Sequence, residues 1–357
     1  MLGFDYGNAR LRAMKSRLLT QRELENLAGA GSLAGLITAL TKTAYRKPIE
    51  SALARTSGMD CINEALQTDL VNTLGKMRSF YHESAGEMVN VMLLPYDLHN
   101  LITILRGLGN NIAPDKILAT LLPVGELDLH TLSVLSGAPG VRAAIDIMAS
   151  MNLPFAVPIM RLRSEVPGAS IPWMESALQG WYWQQMQAYA AEIPDAELFE
   201  AAINLEADLI NLRTVLRFIH APRERVSIKE QTDNLGIQVF FIGPGRLSFT
   251  LLEHLSQLDD IKQAVELLSS TNYYTAIRDG LEAYHTSGRL SDFERQLNRF
   301  RLNWMASLIN QDPLGIGLVL GYLALKVNEI GNLRWIANGI SLDLKSEEII
   351  ENLAMTA

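Results

Sequence analysis

An all-α fold built from three related multi-helix units is the architecture this sequence predicts, and three observations carry it. An acidic-x-x-Asn-Leu signature occurs as Asp97-x-x-Asn100-Leu101, Asp208-x-x-Asn211-Leu212 and Glu329-x-x-Asn332-Leu333, spaced 111 and then 121 residues apart. Apolar residues recur at helical spacing around each signature. Pro and Gly cluster in short connectors between the periodic stretches. Solenoid repeats run to about 20–50 residues, so this longer period implies copies of a multi-helix unit. Three such copies can close into a pseudo-threefold body with a centre.

The elements follow in chain order. Asp5-x-x-Asn8-x-Arg10 reads as a truncated further copy, expected to pack near the C-terminal one. Gly31-x-Leu33, Gly125-x-Leu127 and Gly245-x-Leu247 align as a second repeat mark. Tyr45…Ile49…Leu53 then aligns with Phe155…Ile159…Arg163 and with Tyr273…Ile277…Leu281. A further mark, Glu64-Ala65-Leu66-Gln67, Ser176-Ala177-Leu178-Gln179 and Arg295-Gln296-Leu297, precedes each acidic signature.

The signature helices themselves carry one apolar stripe each. These are Leu98, Leu101, Ile102, Leu105 and Leu108; then Leu205, Leu209, Leu212, Leu216 and Ile219; then Ile330, Leu333, Ile336 and Ala337. The acidic residue and the Asn, three apart, share a face beside the stripe. Ile237–Ile242 is the best strand candidate, ended by Gly243-Pro244-Gly245 and lacking a partner. Asp312-Pro313 reads as an N-cap followed by proline at the first helical position. The units fall at roughly 1–110, 111–222 and 223–357.

Composition bounds the function. The 357 residues are 48% hydrophobic and 20% charged, an ordinary globular balance. The single Cys61 excludes an intramolecular disulfide framework and suits a reducing compartment. A net charge of −8 argues against nucleic acid and against direct adhesion to anionic lipid. Met1–Asp5 acquires charge before an apolar run develops, so no signal peptide is expected. Uncharged stretches such as Pro313–Leu325 fall short of the ~20 residues a spanning helix needs. The expectation is a protein in aqueous surroundings, a setting compatible with work beside a membrane.

Catalytic signatures are missing. There is no phosphate loop, and Gly29–Gly35 misses the dinucleotide spacing and lacks a preceding strand, so it reads as an interhelix loop. The six histidines form no i, i+4 pair, so no zinc site is expected. Asp259-Asp260 is followed by no acid on the next turn and reads as a solvated face. No cofactor and no metal are expected, although a dispersed site escapes this kind of search.

Two readings compete for the signature residues. In one, Asp97, Asp208 and Glu329 bond to neighbouring helices while Asn100, Asn211 and Asn332 satisfy buried backbone groups. In the other, some of them join Arg106, Arg213, Arg217 and Arg334 in lining a centre that grips a partner. Asn338 stands where the other copies have Arg106 and Arg217, and an asymmetric lining suits an asymmetric partner such as a coiled-coil shaft.

Tyr96-Asp97-Leu98-His99-Asn100-Leu101…Leu105-Arg106-Gly107 resembles the helix signature of the V-type ATPase central-stalk adaptor family, called C in bacterial and archaeal enzymes and d in eukaryotic ones. Asn8–Leu19 resembles that family's N-terminal segment, and Glu206-x-Asp208-x-x-Asn211-Leu212…Leu216-Arg217 its second repeat. Asn338 departs from the Arg-Gly ending, and the chain is somewhat long for a prokaryotic member. The resemblance implies an all-helical pseudo-threefold funnel without catalytic activity of its own. It implies a socket for the central shaft subunits of D and F type, resting on the membrane proteolipid ring at the cytoplasmic face. No family active-site residue transfers to this chain. The competing readings are a helical scaffold that binds another helix, and an all-α enzyme with a dispersed acidic site.

Overall fold

The computed structural model describes residues 3–193, 196–221, 240–243 and 245–356. Among these, eighteen helices and no strand are found. Helix α1 (Asp5–Lys15) precedes a series of five: α2 (Gln21–Ala28), α3 (Leu33–Leu40), α4 (Arg46–Leu53), α5 (Gly58–Ser79) and α6 (Glu83–Gly109). After the short α7 (Pro114–Leu118) a second series follows: α8 (Leu129–Ser136), α9 (Val141–Ser150), α10 (Ala156–Glu165), α11 (Ile171–Glu192) and α12 (Glu197–His220). The third comprises α13 (Phe249–Ser256), α14 (Ile261–Leu267), α15 (Tyr274–Ser287), α16 (Ser291–Gln311) and α17 (Ile316–Ser341), with α18 (Ser346–Glu351) after it. Each series has three shorter helices and then two long ones, and the last helix carries the acidic signature.

Local chemistry starts each series in the same way. Thr20, Asp128 and Ser248 are the N-caps of α2, α8 and α13, each accepting the backbone N–H three residues on. Thr20 completes a reciprocal capping box with Glu23. A leucine precedes each cap (Leu19, Leu127, Leu247) and another stands on the first turn (Leu24, Leu132, Leu252), the spacing of a hydrophobic staple. Tyr45, Phe155 and Tyr273 head α4, α10 and α15, and Ile49, Ile159 and Ile277 one turn later are fully buried. Leu66, Leu178 and Leu297 are likewise fully buried on α5, α11 and α16. Burying such a side chain contributes about 1.5–3 kcal/mol, which explains why these marks recur in every series.

The chain divides into two compact units. One comprises residues 1–90 and 298–357, the other 91–297. In the first, α17 packs against α1, α2, α3, α5 and α18. That helix is apolar almost all round because neighbours cover it on nearly every side. Helix α1 is tied to it by Asn8, whose amide donates to the Gly315 carbonyl at 3.0 Å and accepts from the Tyr81 hydroxyl at 2.8 Å. In the second unit, α12 packs against α11, α13 and α14, and α10 against α9 and α11.

Several expectations change on contact with the fold. The strand candidate is not a strand where it is described: Phe241 and Ile242 are buried in an irregular connector, and 237–239 lie outside the described residues. Helix α17 starts at Ile316, so Pro313 is not its first residue. Asp312 still acts on its start from the preceding turn, accepting the N–H groups of Gly315 and Gly317 at 2.9 Å. Asp260 lies not on a helical face but at the N-cap of α14, accepting the Lys262 N–H. Gly31-x-Leu33 belongs to the α2–α3 connector and the start of α3, so the counterpart of Leu127 and Leu247 is Leu19. Helix α6 has the length and mean hydropathy to cross a bilayer, and 61% of its most apolar stretch is buried inside the chain.

Candidate functional site

The three signature helices hold connectors by a shared device. Asn100 donates from Nδ2 to the Leu122 carbonyl at 2.7 Å, while its Oδ1 accepts the N–H of that same residue at 2.8 Å. Asn211 clasps Ile242 likewise, at 3.1 and 2.9 Å, and Asn332 clasps Ala354 at 2.9 Å in both directions. A primary amide is the side chain that can donate and accept side by side, so it satisfies both groups of a residue that belongs to no helix.

The carboxylate one turn earlier holds the leucine that opens the next series. Asp97 accepts the N–H groups of Glu126 and Leu127 at 2.7 and 3.1 Å, and Asp208 those of Arg246 and Leu247 at 2.9 and 3.0 Å. Glu329 accepts the N–H of Leu19, 310 residues away. The short aspartates bring their connectors so close that only glycine fits. A Cβ on Gly125 would stand 2.2 Å from Asp97 Oδ2, and one on Gly245 2.2 Å from Asp208 Oδ1. Glu329 has an additional methylene, and the segment it holds has Arg17 at the corresponding position.

Two phenols, aligned in the sequence only as repeat marks, complete the arrangement. Tyr273 Oη donates to Asp208 at 2.7 Å and Tyr45 Oη to Glu329 at 2.6 Å, whereas Phe155 has no hydroxyl to offer Asp97. Burial raises the Tyr45 and Tyr273 hydroxyls above the ordinary tyrosine value, and the adjoining carboxylates raise them further. Burial also raises Asp208, against the opposing effect of its three donors.

The third clasp holds a buried lysine. Lys326 Nζ donates to Glu329 at 2.9 Å and to Tyr45 Oη at 2.8 Å, and lies 2.7 Å from Asp69 Oδ2 as an ion pair outside hydrogen-bond geometry. Leu94 and Leu205 hold the corresponding positions in the other copies. Sequence reasoning missed this network, although a lysine one turn before Glu329 on an otherwise apolar helix was its visible sign.

The candidate lining residues thus separate into two sets. Asp97, Asn100, Asp208 and Asn211 are fully buried, and Glu329 and Asn332 are 4% exposed. Their polar atoms bond to the chain's own backbone and, at Asp208 and Glu329, to Tyr273, Tyr45 and Lys326 as well, the arrangement of the first of the two readings. Arg217 and Arg334 are exposed, and their guanidinium groups make no hydrogen bond or ion pair among the described residues. Arg106 is exposed but paired with Glu175 at 2.5 Å, and Arg213 is half-buried one turn before Arg217 on α12. Asn338, where the third copy lacks the arginine, is exposed.

The model of the ATP synthase (C/AC39) subunit family matches residues 7–352, spanning all three signatures. The chain belongs to that family. Relatives of this C/AC39 chain include the C subunit of the A-type ATP synthase of Pyrococcus abyssi, 26% identical over 98% of this chain and 89% of the relative. Its namesake from Methanosarcina acetivorans is 26% identical over 99% and 93%. That of Halobacterium salinarum is 25% identical over 99% and 97%. Coverage near full length on both sides means that the C/AC39 match rests on the whole helical series.

Proposed function

We propose that this chain is the non-catalytic central-stalk adaptor of a rotary A/V-type ATPase or ATP synthase. It would couple the rotating shaft to the membrane proteolipid ring during H⁺ or Na⁺ translocation. The observation that carries this reading is the family match over residues 7–352, supported by relatives named as C subunits of A-type ATP synthases. In this reading the units 1–110, 111–222 and 223–357 form a pseudo-threefold funnel. The chain sits on the cytoplasmic face of the membrane, with shaft subunits of D and F type at one mouth and the ring at the other.

The clasps suit such a task. A body that transmits torque must resist shear, and connectors fixed to helices by paired backbone hydrogen bonds deform less than free loops. The exposed Arg217 and Arg334, together with Arg106, which is paired with Glu175, and the half-buried Arg213, are the partner-facing candidates, because guanidinium groups at a surface favour fast, salt-sensitive and reversible docking. The six buried signature residues hold the frame that presents them.

The test is association of the purified chain with the two central-shaft subunits, followed by size exclusion and titration calorimetry. One-to-one binding that weakens with salt is expected. Failure to bind the shaft, together with failure of the detergent-solubilised ring to capture the chain, would refute the adaptor role.

A further inference from the structure

The third clasp differs from the other two in how its two halves are connected. One short connector runs from Leu122, held by Asn100, to Leu127, held by Asp97. Another runs from Ile242, held by Asn211, to Leu247, held by Asp208. Each is pinned at both ends, so a contact that breaks stays beside its site at high effective concentration and re-forms. In the third clasp Asn332 holds Ala354 while Glu329 holds Leu19, which follows α1 instead of following the amide-held residue. No short tether joins the two, so each can let go independently.

The contacts at this clasp differ as well. The N–H of Leu18, counterpart of those of Glu126 and Arg246, turns back to the Lys15 carbonyl at 3.1 Å. Glu329 therefore receives one main-chain donor where each aspartate receives two, and Lys326 stands in at 2.9 Å. Beside the clasp lies an open groove of about 230 Å³ lined by Lys15, Leu18, Leu19, Asn328, Glu329 and Met355. Asn328, whose counterparts are Tyr96 and Ala207, donates to the Ala354 carbonyl at 2.8 Å, and Leu122 and Ile242 are the larger counterparts of Ala354.

We propose that this clasp is a latch that opens on its own, ahead of the other two. Its opening releases Leu19 and Ala354 from α17 while the surrounding helices keep their packing. Local opening of this kind occurs where solvent is near, and here Leu19 beside the groove is half-buried where Leu127 and Leu247 are buried. The opened latch bares Glu329, Lys326 and Asp69, the lysine-centred network of this clasp.

Residue-resolved amide hydrogen exchange on the full chain tests this, with Leu127 and Leu247 as internal references. After correction for intrinsic rates, Leu19 is expected to exchange at least tenfold faster than both, while Leu11 in α1 and Ile340 in α17 stay slow. Protection at Leu19 equal to or above that of the references overturns the proposal. So does exchange of Leu11 in step with Leu19, which would mean fraying of the whole N-terminal segment. A Lys326→Met variant provides a second arm. It should accelerate Leu19 at least tenfold further and leave Leu127 and Leu247 unchanged; no acceleration at Leu19, or equal acceleration at all three, overturns the latch.

Discussion

Asp208 is fully buried, accepts two backbone N–H groups and a phenol, and still has its pKa raised, because desolvation outweighs its donors. A carboxyl raised in the folded state binds its proton more readily there than in the unfolded chain. Its contribution to stability is therefore fully present below the ordinary value of 3.8 and is lost as pH rises through the folded-state value. The stability of the parent chain relative to Asp208→Asn should accordingly fall as pH rises from about 4, in urea denaturation compared pH by pH. A flat difference, or one that grows with pH, would mean that the donors outweigh burial. The same scale separates the copies: Tyr45 and Tyr273 donate to carboxylates where Phe155 cannot, and Lys326 stands where Leu94 and Leu205 are apolar. Lys326 was legible as an oddity in an apolar helix, but its role was not, since Asp69 and Tyr45 come from distant parts of the chain.

At the scale of elements, the connector after each signature helix is as much a part of the repeat as the helix. Its glycine follows from the short aspartate side chain. Gly125→Ala would place a Cβ 2.2 Å from Asp97 Oδ2 and should cost about 1–3 kcal/mol in urea denaturation. Arg17→Ala, at the corresponding position beside the longer Glu329, should stay within about 0.5 kcal/mol. Equal effects would show that side-chain length does not set the spacing of the connector. Helix existence and the start of each series were legible, because caps and apolar spacing act within a few residues. The alignment of Gly31 with Gly125 and Gly245 was misleading, because the segment that meets Glu329 precedes α2 and carries no glycine at that point.

At the scale of the whole molecule, the proposed adaptor role depends on the surface the clasped frame presents. Arg213 and Arg217 lie one turn apart on α12, and reversing both to Glu places like charge before any acidic shaft. Shaft affinity should fall on the order of tenfold or more, most at low salt, with the circular dichroism spectrum unchanged. Unchanged affinity in the double variant would remove α12 from the docking face. The sequence by itself determined the all-helical class, the threefold recurrence of the signature and the family. These follow from local spacing and residue chemistry, which survive in a linear string. Only the tertiary structure decided what the signature residues do. Whether a carboxylate faces a partner or a backbone amide depends on what packs against it. Asp97 finds its donors 29 and 30 residues on, Asp208 finds Tyr273 65 residues on, and Glu329 finds Leu19 310 residues back. Separations of that size leave no periodic trace in sequence, so the division between buried frame and exposed arginines was set by packing.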